Sequence, residues 1–295
     1  MASDQSYEVR KRFSSISIVK AVFVTLIITL FFVILIVRAP DYMSQLNAEL
    51  FTFYTLYLIP ILLYIYALKK KGLSVTAIFR QPNPDYKLLW IVVPMLALTI
   101  GIVWSTLLFL NVMDTALAES YLEWLISYEA LTITSDTIVI QYILIFVVIS
   151  VLAPVIEEVV FRGILVERFG LKYGYSRAVI ISSLIFGILH ADIIGAFIFG
   201  VILCVIYLQT KSLMMPVLIH ALNNGSATLV IFFEDETASE MWETLTPYID
   251  YAWVGILIFV AAVVWCYQYL KKNWDIVNKS RPFEPDLEDP TEESR

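Results

Sequence analysis

Six side chains in this sequence have the types and spacing for hydrolytic chemistry: Glu157, Glu158 and Arg162, then His190, then His220 with Asn224. The chain holds 2 histidines in all, and both fall in apolar runs. A charged side chain at bilayer depth costs about 2.5 to 3.5 kcal/mol on insertion scales, so each one marks a function or a partner. Glu158 and Arg162 are four residues apart on one helical face and form the natural ion pair. Glu157 is turned about 100° from its neighbour, so it is left to point into a helix bundle. His220 and Asn224 are again four apart and converge on one small volume, either as a polar clamp between helices or as two donors to a developing oxyanion. Pro154 removes the helical hydrogen bond that the Ser150 carbonyl would accept, a kink able to admit water beside Glu157. Ser182, Ser183 and Cys204 have no sequence partner that would activate them, which leaves water as the nucleophile. Glu157 is then the general base, His190 helps hold the water, and His220 and Asn224 stabilise the tetrahedral intermediate of amide hydrolysis.

The elements that must position these groups are membrane helices. Of 295 residues 59% are hydrophobic and 16% charged, too few charges for the polar shell of a soluble domain. Apolar runs long enough to span a bilayer lie at about 21–37, 50–68, 88–112, 137–161, 178–194, 195–210, 213–233 and 251–270. The expected fold is therefore all-α, a polytopic bundle of about eight transmembrane helices around a central polar cavity. With eight spans every basic cluster falls on one side: Arg10 to Arg12, Lys69 to Lys71 with Arg80 and Lys87, then Arg168, Lys172 and Arg177, then Lys211, then Lys271 and Lys272. The positive-inside rule makes that side cytoplasmic, with both termini there, as in a multi-pass protein of the cell membrane. The opposite loops, 113–136 and 234–250, contain acids and no Lys or Arg. At a rise of about 1.5 Å per residue, Glu157, His190 and His220 lie roughly 16, 20 and 13 Å from the nearest basic residues, near one level of the bilayer.

The chain divides into a basic N-terminal segment at 1–20, three spans with their loops at 21–136, a core of four spans at 137–233 and an acidic loop with the last span at 234–274. An acidic tail at 275–295 has too little apolar surface to fold. The formal net charge of -7 argues against a nucleic-acid partner. Cys204 and Cys266 are isolated in apolar runs, as buried small hydrophobes rather than a zinc knuckle or disulfide framework. The first span ends in Val37-Arg38-Ala39-Pro40, with no small-residue cleavage pattern, and reads as a retained anchor.

Three ordered motifs, Glu157-Glu158-Val159-Val160-Phe161-Arg162, Phe186-Gly187-Ile188-Leu189-His190 and His220-Ala221-Leu222-Asn223-Asn224, resemble those of the CAAX protease and bacteriocin-processing family of intramembrane endopeptidases, the type II CAAX prenyl endopeptidase relatives. The resemblance covers residues 157–224, or about 137–233 with the host helices. It implies that Glu157 and His190 activate a water, that His220 and Asn224 form the oxyanion hole, and that Glu158 and Arg162 support the site. The expected substrate is a membrane-associated peptide or protein, reached through a cavity open to the cytoplasm. No cofactor is expected; the alternative is zinc held by Glu157, His190 and His220 with water in the fourth position, although no His-Glu-x-x-His pairing exists. Two other function classes fit the same residues: a non-catalytic scaffold of the same family, and a proton-coupled transporter using them as a relay.

Overall fold

The structure, a computed structural model, describes residues 15–38, 45–72, 79, 84–129, 138–233 and 244–280. Each expected span contains a helix: α1 (Ile18–Arg38), α2 (Gln45–Lys70), α3 (Tyr86–Met113), α5 (138–173), α6 (Tyr175–Ile188), α7 (Ile193–Thr210), α8 (Met214–Phe233) and α10 (Ala252–Lys279). Two further helices, α4 (Thr115–Glu129) and α9 (Thr246–Asp250), lie between them. Among the described residues five helices are long and apolar enough to cross a membrane: α1, α3, α5, α7 and α10. The protein is thus an all-α polytopic membrane protein.

α7 is the axis of the core. Its run from Phe199 to Leu208 is buried without a break, the pattern of a helix that is apolar on every side. One cluster packs Val201, Cys204, Val205 and Leu208 with Ile156, Ile164 and Val179. A second packs Ile202, Leu203 and Ile206 with Phe161, Phe186 and Ile219. Through these contacts α7 holds α5, α6 and α8, the three helices that carry the motifs. α3 and α10 brace the bundle from outside, in contact so close that a Cβ on Gly101 would lie 2.6 Å from the Phe259 Cα.

Four boundaries differ from the sequence reading, each because a tertiary partner or cap outweighs hydropathy. The fourth span does not stop at 161: α5 continues to Tyr173 because Arg162 and Glu167 find buried partners, and it ends at Gly174, whose φ of 85° suits glycine. The fifth span stops at Ile188, so His190 lies in a turn, Leu189–Asp192, rather than inside a helix. Leu189 and His190 close that end with tight bonds to the Phe186 and Gly187 carbonyls, and Asp192 caps α7 by accepting from the Gly195 N–H at 2.8 Å. The loop after α3 contains α4, started by Asp114 accepting from the Ala116 N–H and held by buried Ala118 and Leu122, four apart on one face. α10 runs past Trp274 to Lys279 because Trp274, Ile276 and Val277 join the first cluster. Residues 275–279, expected in a disordered tail, are therefore helical. The basic segment 1–14, the acidic stretch 234–243 and the tail 281–295 lie outside the described residues.

Candidate active site

The site is built on an irregular stretch of α5. Val148–Leu152 and Val159–Val166 are π-helical turns on either side of Ala153–Glu158, the kind of bulge often found at functional positions. In the first, the Ala153 N–H reaches back five residues to the Val148 carbonyl. The next bond in that register would run from residue 154 to Ile149, but Pro154 has no N–H. The carbonyl that proline releases is therefore Ile149's, one residue earlier than the α-helical count gives for Ser150. It does not stay bare, because Asn224 on α8 donates to it from Nδ2 at 3.1 Å.

Glu158, Arg162 and His220 form the floor. Arg162 Nη1 donates to Glu158 Oε1 at 2.7 Å, and His220 Nδ1 lies 2.8 Å from the same oxygen. A carboxylate oxygen only accepts, so His220 Nδ1 carries a proton, and Nε2 is bare when the ring is neutral. All three side chains are buried, Glu158 and Arg162 completely. Phe186 holds the cluster from the side of α6. The Arg162 guanidinium lies 4.5 Å over its ring, and the rings of His190 and His220 are 4.2 and 5.8 Å from it. The phenylalanine of the second motif is thus a shared wall for the basic groups of all three motifs, a role that sequence spacing does not reveal.

Above the floor, Glu157 and His190 are more open, with side chains 20% and 35% exposed. His190 Nδ1 lies 2.7 Å from the Phe186 carbonyl, which again can only accept, so this ring too presents a bare Nε2 when neutral. Glu157 Oε2 is 3.8 Å from Nε2 of His190 and 3.8 Å from Nε2 of His220, and has no hydrogen-bond partner among the described residues. One carboxylate oxygen and two imidazole nitrogens therefore face each other just beyond hydrogen-bond distance. Zinc with ligands about 2.0 to 2.1 Å away in a tetrahedron would draw such donors to about 3.3 Å from one another. Among the described residues no group of three His, Cys, Asp or Glu side chains is arranged to hold a metal ion.

A cavity of about 230 Å³ adjoins these groups, lined by His190, His220, Asn223, Asn224 and Asp192 against an apolar wall that includes Leu98 and Phe199. It reaches the turn Leu189–Asp192, at the end of α6 away from Tyr175. That is opposite the end carrying Arg168, Lys172 and Arg177, the side on which the sequence reading opened it. Asp192, which fell unremarked inside the expected fifth span, is partly buried. Burial pushes its carboxyl above the ordinary value, against the pull of the Gly195 N–H and the His190 ring. Tyr121 on α4 is raised too, by burial first and then by the charge of Asp192, so α4 lies near this mouth.

Fold and site together define a polytopic helical membrane protein with two imidazoles lining a cavity and a carboxylate, Glu157, 3.8 Å from both. Residues 139–226 match the family model described as Type II CAAX prenyl endopeptidase Rce1-like. All six motif residues fall inside the match. The Bacillus subtilis (strain 168) protein named "Putative membrane peptidase YdiL" is 31% identical over 96 residues, which is 32% of this chain and 38% of that relative. The similarity thus spans well under two thirds of the relative. No solved structure matches the chain.

Proposed function

We propose that the protein is a membrane-embedded endopeptidase that hydrolyses an amide bond of a membrane-associated peptide or protein with a water activated by Glu157. The observation that carries this reading is Glu157 Oε2, buried, unpartnered among the described residues and equidistant at 3.8 Å from two imidazole nitrogens beside a cavity. A water held among them has two hydrogens for three acceptors, so one acceptor must bring a proton of its own. His220 is the group for that proton. Its Nε2–H then becomes a donor, and Glu158 behind Nδ1 carries the countercharge.

The water gives one hydrogen bond to Glu157 and one to His190 Nε2. As its oxygen attacks the scissile carbonyl, Glu157 takes a proton and the carbonyl oxygen becomes an oxyanion. His220 Nε2–H and the second Nδ2 hydrogen of Asn224, whose first is spent on Ile149, receive that charge. Collapse of the intermediate breaks the C–N bond, and the proton on Glu157 leaves with the amine. Arg162 and Phe186 act through others: they fix Glu158 and both rings. The reading is metal-free, with Glu157 as base rather than ligand; the 3.8 Å from Glu157 Oε2 to each imidazole nitrogen leaves room for a bridging water.

The experiment is cleavage of lipid-anchored peptide pools by the purified protein in nanodiscs, read by mass spectrometry. Wild type is expected to yield fragments and Glu157→Gln none; equal turnover by both would overturn the assignment.

A further inference from the structure

Apart from the two oxyanion donors, His220 Nε2–H and Asn224 Nδ2, the cavity offers an occupant a set of acceptors. Asn223 Oδ1 is buried and unpartnered among the described residues. His190 Nε2 faces inward without a hydrogen when that ring is neutral, its Nδ1 being turned to the Phe186 carbonyl. The Asp192 carboxylate stands at the mouth, with Oδ1 on the Gly195 N–H. Among the described residues no lysine or arginine lines the cavity, and the nearby Arg162 is sealed beneath Phe186 and paired with Glu158. A free C-terminal carboxylate placed beside Asp192 would meet like charge and find no lysine or arginine, whereas a cation there would find an acid and spare lone pairs.

The approach has the same sign. The Leu189–Asp192 turn closes one end of α6 with α4 beside it, the charge of Asp192 reaching Tyr121, and α9 packs on the half of α3 that leads to α4, its Tyr248 carbonyl accepting from Trp104 Nε1. At that end Asp114, Glu119, Glu123 and Asp250 are exposed, and neither 113–136 nor 234–250 contains a Lys or Arg. Such a surface concentrates cationic ligands and repels anionic ones.

We propose that the cavity selects a peptide with a lysine or arginine beside the scissile bond, its cationic group held by Asp192, and rejects one whose free C-terminal carboxylate would lie there. The proposal rests on the peptidase reading and adds the substrate's charge class and a specificity-determining residue. It also puts substrate entry at the end of the bundle opposite the basic clusters.

The test is binding, so that it stands apart from turnover. Fluorescent lipid-anchored peptides, identical except for Lys, Gln or Glu at one central position and made as C-terminal amide or free acid, are titrated onto the Glu157→Gln protein in zwitterionic nanodiscs. The Lys amide is expected to bind at least about tenfold tighter than the Glu amide. Adding Asp192→Asn, which keeps an oxygen for the Gly195 cap, is expected to bring the two within about twofold. Equal binding of Lys and Glu peptides to the Asp192 protein, or a preference that survives Asp192→Asn, overturns the proposal. The first result needs no Asp192 variant, so it stands even if that variant misfolds. A Lys preference in binding without cleavage of any peptide by wild type would contradict the peptidase reading and leave the recognition claim intact. Preferred cleavage of Glu or free-acid peptides would do the reverse.

Discussion

The two halves of the site are made from the same residue types and finished in opposite ways. In the floor, Glu158, Arg162 and His220 are buried and bonded to one another, with Arg162 Nη1 and His220 Nδ1 converging on Glu158 Oε1. In the roof, Glu157 and His190 are partly open, and the atoms facing the cavity have been left without hydrogen bonds. Adjacent glutamates on one helix thus differ: Glu158 Oε1 is bound by Arg162 and His220, whereas Glu157 Oε2 faces two imidazole nitrogens without a hydrogen bond among the described residues. A third glutamate on α5 extends the contrast. Glu167 is buried and accepts from Tyr175 at 2.6 Å and Tyr207 at 2.8 Å, a carboxylate built wholly into the packing, well away from the cavity. Burial and a missing partner do not by themselves single out an acid in this protein, since Glu158 Oε2 also lacks a hydrogen bond among the described residues; what sets Glu157 apart is an oxygen 3.8 Å from two imidazole nitrogens.

The contrast can be broken at several strengths. Glu157→Gln removes the base and little else, so cleavage is expected to fall about 10² to 10⁴-fold with the thermal midpoint near wild type. Arg162→Ala attacks the floor and leaves a buried carboxylate without its cation, which is expected to cost about 3 to 5 kcal/mol of stability, read as a large drop in thermal midpoint in detergent. Asn224→Ala is expected to lower kcat about 10² to 10³-fold with little change in KM, as loss of a transition-state donor does; a pure change in KM would make Asn224 only a clamp on Ile149. Tyr207→Phe removes one donor to Glu167 and is expected to cost about 1 to 3 kcal/mol of stability while kcat stays within about twofold, separating the packed carboxylate from the reactive one.

The helical class, the helices and the three motifs were legible in the sequence because apolar runs and four-residue spacings are local signals. The Glu158–Arg162 pair is of that kind, being one turn of one helix. Long-range partners were not. The Ile149 carbonyl went unread because the π register around Pro154 shifts the released acceptor by one residue, and only Asn224, 75 positions on, explains how it is satisfied. His190 was assigned to a helix because hydropathy continues through Ile193 and Ile194, whereas the turn is set by the Asp192 cap. Asp192 became visible only once α6, α7 and α8 enclosed a cavity with it at the rim. The extension of α5 through Arg162 and Glu167 was missed because a charge ends a hydropathy run unless its buried partner, here Glu158 or a tyrosine pair, is known.

The most direct test of the central claim joins turnover and metal content on one preparation. Wild-type protein and Glu157→Gln, purified in parallel and assayed by mass spectrometry on lipid-anchored peptides, are also analysed for bound metal and treated with chelator. The account predicts cleavage by wild type that survives chelation, no stoichiometric metal, and no cleavage by Glu157→Gln. Stoichiometric zinc whose removal abolishes cleavage would make Glu157, His190 and His220 ligands and contradict it, as would undiminished turnover by Glu157→Gln.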